Sequence, residues 1–79
     1  MKAKVHVFLK PGVLDVQGKA IEGALHSLGF ADVEGVRVGK TIEFEVRDAD
    51  AAKAEAEAKQ MAERLLANTV IEGYRVEVG

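Results

Sequence analysis

The sequence predicts an α+β fold: one βαββαβ ferredoxin-like domain over residues 1–79, with a four-stranded antiparallel sheet and two helices on one face. Three observations predict it. Apolar and polar residues alternate in residues 3–9, in two adjoining segments near the middle and again at the end of the chain. Two other segments repeat their apolar residues at helical spacing. The segments run in the order β-α-β-β-α-β, and right-handed crossovers then bring both helices to the same side of the sheet.

In residues 3–9, Ala3, Val5, Val7 and Leu9 point one way, while Lys4, His6 and Phe8 point the other. Pro11-Gly12 stops this strand. Asp15 is placed to cap a helix, because its carboxylate can accept from N–H groups of the first turn. Val16, Ala20, Ile21, Ala24, Leu25 and Leu28 make the apolar stripe of that helix, and Gly29 suits its left-handed closing position. Gly18 and Gly23 each cost the helix about 1 kcal/mol against alanine, which predicts a close neighbour at both.

Residues 33–38 and 41–46 read as a hairpin around Gly39-Lys40, a two-residue turn of the Gly-X type. Ile42, Phe44 and Val46 form the apolar face of the return strand, with Thr41, Glu43, Glu45 and Arg47 opposite. Asp48 or Asp50 begins the second helix. Its buried stripe is expected to be Ala51, Ala54, Ala58, Met61, Ala62 and Leu65, with Glu55–Lys59 and Lys59–Glu63 paired on the outside. Asn68 closes that helix. A last strand spans 70–78, with Tyr74, Val76 and Val78 on one side and Arg75 and Glu77 on the other.

The helices are expected to cover one sheet face only. The other then carries Lys4, His6, Phe8, Arg37, Glu43, Glu45, Arg75 and Glu77, facing water or a partner. Phe8 on that polar side suits a subunit contact. Tyr74 reads either as core with its hydroxyl at the edge or as an interface anchor. Lys10 and Lys19 flank the start of the first helix, where free N–H groups can meet an acidic surface. Pro11, Gly12 and Asp15 equally serve only to stop the strand and cap the helix.

With 79 residues the chain has room for one core. So short a chain buries only about 60% of its unfolded surface, and association is a common remedy. It has no cysteine, which excludes disulfides, zinc–thiolate sites and thiol nucleophiles and fits a reducing compartment. A net charge of -2 offers no basic field for nucleic acid. No apolar run approaches the roughly 20 residues of a membrane span, and the cytoplasm is the expected location.

The motifs that suggest chemistry fail on spacing. Gly35 to Thr41 ends in Gly-Lys-Thr but has one residue too few between its glycines for a phosphate loop, and no helix is expected to follow it. Gly12 to Lys19 has one residue too many and ends in Ala20 where a hydroxyl is needed. Ser27 is the only serine, and the adjacent His26 points about 100° away around the helix. His6 and His26 are too few for a metal site, and Glu43 with Glu45 reads as a salt-bridging pair, with Arg37 or Arg75 as expected partners. No catalytic, cofactor-binding or metal-ligating residue is therefore expected, and the domain should act by binding.

Three blocks give this outline a family. Residues 9–20 with 24–30, then Val36-Arg37-Val38-Gly39-Lys40, then residues 65–77 fall in order over nearly the whole chain. They closely resemble the PurS family, the small subunits of phosphoribosylformylglycinamidine synthase. Matching positions are Lys10, Pro11, Gly12, Asp15, Gly18, Lys19 and Ala20, then Gly39 and Lys40, then Leu66, Ala67, Asn68, Val70, Ile71, Tyr74 and Arg75. Val16 and Thr69 stand where that family often has proline, which touches rigidity rather than role.

The resemblance implies a non-catalytic subunit of a glutamine-dependent ligase in purine biosynthesis, acting as a homodimer or higher homo-oligomer. Its partners would be a glutaminase subunit and an ATP-dependent synthetase subunit, whose complex uses ATP, magnesium and glutamine. Interface positions expected on this basis, and from the exposed faces above, are His6, Phe8, Lys10, Lys19, Arg37, Tyr74 and Arg75. The same element order also serves ligand-binding regulatory domains of ACT type, which remain an alternative. An acylphosphatase-like enzyme would need an arginine in the loop after the first strand, and residues 10–14 have none.

Overall fold

The computed structural model describes residues 1–47 and 49–79. Strand β1 (Lys2–Leu9) is followed by helix α1 (Val16–Ser27), strand β2 (Gly39–Glu45), helix α2 (Ala51–Met61), a single π-turn (Ala62–Leu66) and strand β3 (Glu72–Val78). β1 lies in the middle of an antiparallel sheet of order β2-β1-β3. Val5 stands opposite Ile42 and Val76, and Ala3 opposite Phe44 and Val78, so these six share a face. α2 lies across β1 and β3 on that face through Ala54 and Ala58, and the π-turn continues over β1 with Ala62 buried. The core is made of alanine and valine, and Val5 is its largest fully buried side chain.

The sheet has three strands among the described residues, not the expected four. Residues 33–38 form no strand, and Gly39 and Lys40 begin β2 opposite Phe8 and Val7 instead of turning a hairpin. The backbone groups that a hairpin ladder needs are taken by side chains from α1 and from its capping residue. His26 Nε2 donates to the Val33 carbonyl at 2.7 Å. Glu22 accepts from Val36 N–H at 3.2 Å, and Asp15 accepts from Val38 N–H at 2.7 Å.

Nor do both helices cover the sheet. α1 touches it at most marginally, and its apolar stripe is open, with Val16 71% and Leu28 73% exposed. The molecule is accordingly stretched, with extents of 47 × 24 × 14 Å. Its radius of gyration is 15.8 Å, against about 12 Å for a compact chain of this length. Locally α1 is as expected. Asp15 accepts from Gly18 N–H at 2.8 Å, and Gly29 (φ 99°) closes the helix with Phe30 N–H bonded to Leu25 O and Gly29 N–H to His26 O.

α2 starts where expected and departs from expectation in its buried stripe and at its C-terminal end. It begins at Asp50, whose carboxylate accepts from Ala52 N–H at 2.9 Å, while Asp48 lies outside the described residues. Ala51, Met61 and Leu65 face outward, and Leu66 packs on the core. The buried positions 54, 58 and 62 advance by four residues, which overshoots an α-helical turn by about 40° each time. The π-turn, closed by Ala67 N–H to Ala62 O at 2.8 Å, takes up that drift and swings Leu66 rather than Leu65 over the sheet. Asn68 then builds the turn, accepting from Val70 N–H on its side chain and from Ile71 and Glu72 N–H on its carbonyl, so the last strand starts at Glu72 and not at 70.

Candidate partner-binding surfaces

The sheet face away from α2 carries Lys4, His6 and Phe8 of β1. Glu43 sits between Lys2 (3.8 Å) and Lys4 (3.5 Å), and Glu45 meets the amino terminus at 3.5 Å. The carboxylates therefore pair with lysines and the terminal amine, not with the expected Arg37 or Arg75. His6 Nδ1 lies 3.0 Å from Thr41 Oγ1, and its Nε2 lies 3.5 Å from Glu77. Arg75 stands opposite His6 and is exposed. Phe8 is flanked by Gly39 and Gly73 on the two neighbouring strands. A Cβ at Gly73 would lie 2.7 Å from its ring, so the ring covers that glycine while 45% of Phe8 remains open.

Arg37 is not on this face. With no strand at 33–38, its guanidinium instead donates to the carbonyls of Val13 and Lys10, both at 3.0 Å, and reaches that of Leu9 at 3.5 Å. It ties residues 33–38 to the turn after β1, where Val13 N–H bonds Lys10 O. Asp15 completes the tie, since one carboxylate serves both the helix start and Val38. Those two N–H bonds, Val38 first, and the nearby Arg37 charge hold its carboxyl below the ordinary range, against the opposing effect of burial. The Val36 N–H likewise lowers Glu22, helped by Lys19 and His26. At Gly18 a Cβ would press into the Val36 carbonyl oxygen and come within 2.9 Å of the Asp15 carboxylate, so glycine is required. At Gly23 nothing lies within 4 Å, contrary to expectation.

The linking roles of Glu22 and His26 went unread in the sequence, although a signal was there. Gly18, Glu22 and His26 recur at i,i+4 on the flank of α1 beside its apolar stripe. Ser27 donates to Gly23 O at 3.1 Å, a bond within its own helix. Tyr74 is half-buried against the core, and its hydroxyl donates to Glu63 at 2.7 Å; that bond and the Glu63 charge raise its pKa. Lys19 is exposed, while Lys10 donates to Thr69 O at 2.8 Å.

Segments far apart in sequence converge at one end of the molecule. The Lys10 main chain bonds Ile71 O, and Leu9, Asp15, Gln17, Lys40 and Glu72 line a groove of about 430 Å³ there. Among the described residues no three potential metal ligands gather, and no helix is long and apolar enough to cross a membrane.

Fold and surfaces together define a small α+β domain built for contact, with one helix standing clear of its own sheet. The chain belongs to the PurS family: the family model described as "PurS: Phosphoribosylformylglycinamidine (FGAM) synthase" matches residues 2–79. It is 49% identical over 77 residues to the phosphoribosylformylglycinamidine synthase subunit PurS of Bacillus subtilis (strain 168), covering 98% of this chain and 90% of that one. The solved B. subtilis PurS structure matches with a TM-score of 0.86 at 49% identity, over 99% of this chain and 96% of that one. A chain of the PurLQS structure from Thermotoga maritima matches with a TM-score of 0.87 at 34% identity, over 96% of this chain and 93% of that one.

Proposed function

We propose that this chain is the PurS subunit of phosphoribosylformylglycinamidine synthase in purine biosynthesis, working in the cytoplasm to join the glutaminase and synthetase subunits. The observation that carries the proposal is the family match across residues 2–79, seconded by the match to a chain of PurLQS. In the reaction, the glutaminase releases ammonia from glutamine. The synthetase uses ATP, with magnesium, to activate the amide oxygen of formylglycinamide ribonucleotide. Ammonia then attacks the activated carbon, and the phosphorylated oxygen leaves to give the amidine. This chain's part is to hold the two enzymes together and help enclose the path of ammonia. Its Ser27 and His26 are bonded to backbone carbonyls of the chain itself, which fits a part without chemistry of its own.

The assembly contains more than one copy of the chain. A compact protein of 8.5 kDa exposes about 4,700 Å². This chain exposes 5609 Å². The excess of about 900 Å² is close to the roughly 800 Å² that each partner gives to a standard interface. The ACT-type alternative has no support, since the whole-chain match is to PurS.

Reconstitution tests the proposal. Adding the chain to purified synthetase and glutaminase subunits should raise glutamine-dependent amidine formation, and the chain alone should neither hydrolyse glutamine nor consume ATP. Glutaminase or ATPase activity in a preparation proven free of the larger subunits overturns it.

A further inference from the structure

The sheet face turned away from α2 has one nearly bare row. Phe8 stands between Gly39 of β2 and Gly73 of β3, so a glycine–phenylalanine–glycine row crosses all three strands. The Phe8 ring leans over Gly73, where a Cβ would lie 2.7 Å from it. On the other side the nearest side-chain atom to a Cβ at Gly39 is the Phe8 Cβ, at 3.8 Å, which leaves a recess beside the ring. Glycine is fixed at 39 by the strand itself, since a Cβ there would come within 2.8 Å of the Val7 carbonyl oxygen. Thr41, His6 and Arg75 make the adjoining row, with His6 held by Thr41 at 3.0 Å as a wall to the recess. Phe8 is therefore the one large apolar side chain on this face of the three strands, and it is 45% exposed.

The charges on this face mostly cancel within it. Glu43 lies between Lys2 and Lys4, Glu45 meets the amino terminus, and Glu77 faces His6. Arg75 is exposed and, among the described residues, makes no ion pair or hydrogen bond. We propose that this face binds a partner protein that brings one carboxylate to Arg75 and one apolar side chain into the recess above Gly39, against Phe8. This rests on the partner-binding role proposed above and names a surface that serves it. A guanidinium can take a carboxylate in two parallel bonds, and arginine and aromatic side chains are enriched among the residues that dominate protein interfaces. A second copy laid on the same face brings no unpaired carboxylate, so the occupant is a different chain. A polyanion would meet Glu43, Glu45 and Glu77 as well as Arg75, so the occupant carries a single, localised acidic group.

Binding of the chain to purified synthetase and to purified glutaminase is titrated separately, with circular dichroism and sedimentation of every variant. Arg75→Glu should weaken binding to one of the two by at least about tenfold. Arg75→Lys, which keeps the charge but not the paired bonds, should fall between that variant and wild type. Phe8→Ala should weaken binding to the same subunit by a similar factor; if it disturbs the circular dichroism, the two Arg75 variants decide alone. Lys53→Glu makes the same charge change on the exposed side of α2 and should leave binding as it is. Wild-type affinity of Arg75→Glu for both subunits overturns the inference. So does an equal loss in Lys53→Glu, which would make the effect one of net charge. A fall in the sedimenting mass of Arg75→Glu overturns it in favour of a contact between copies of this chain. Failure of the unmodified chain to bind either subunit instead removes the function on which the inference rests.

Discussion

Two glycines of α1 should respond to alanine with opposite signs. Gly18→Ala adds a Cβ that presses into the Val36 carbonyl oxygen and lies 2.9 Å from both Cγ and Oδ2 of Asp15. Neither neighbour can yield cheaply. Val36 is flanked by its own N–H bond to Glu22 and the Val38 N–H bond to Asp15, so withdrawing its carbonyl strains both. Overpacking of this kind costs about 1–3 kcal/mol. The gain in helix propensity offsets about 1 kcal/mol of it. Gly23→Ala collects the same gain of about 1 kcal/mol and meets nothing within 4 Å. The two variants should therefore differ by about 2 kcal/mol, with wild type between them. Urea denaturation at one fixed protein concentration, followed by circular dichroism, measures this. With a slope of about 1 kcal/mol/M, the midpoints should separate by about 2 M. If Gly18→Ala stabilises as much as Gly23→Ala, the Val36 carbonyl is not held against α1, and the account of why residues 33–38 form no strand fails.

Other outcomes follow from the same contacts. Asp15 has its carboxyl held below its ordinary value of 3.8, so it contributes stability above that value and loses it as pH falls toward the folded value. Asp15→Asn, which turns an amide donor toward one of the two N–H groups, should lower the thermal midpoint at pH 7 and flatten its fall below pH 3.8. An unchanged acid limb would remove Asp15 from that role. Val5→Ala should cost about 2–3 kcal/mol in urea, from two lost methyl groups and the cavity they leave, whereas Val70→Ala, 80% exposed in wild type, should stay within about 0.5 kcal/mol. Lys10→Glu with Lys19→Glu should lower the thermal midpoint only slightly, through loss of the exposed Lys10–Thr69 bond, yet weaken binding to the synthetase and glutaminase subunits in a pull-down. Wild-type binding by that double variant would make both lysines plain surface.

Periodicity made β1, β3, the body of both helices and their caps legible, because each is decided by neighbours one to four residues away. The segment 33–38 was not, since its hydrogen-bond partners are side chains of Asp15, Glu22 and His26, 7 to 23 residues upstream. Arg37 lies off the sheet as a consequence, because the strand on whose face alternation puts it does not form. The stripe of α1 said that the helix must be covered but not by which chain. Leu65 and Leu66 were interchanged because one π-turn changes the angle per residue, and no apolar pattern announces it. The contact roles of His6, Phe8, Lys10, Lys19, Tyr74 and Arg75 had the least to be read from, since a partner's complementary surface is not written in this chain.

The alanine and valine core has a further bearing on how the protein persists in a cell. With Val5 as its largest fully enclosed side chain, a solitary copy has little to resist opening. Partners that bind only the folded form shift that balance in proportion to their concentration. A copy made in excess of its partners therefore spends more of its time unfolded and within reach of proteases.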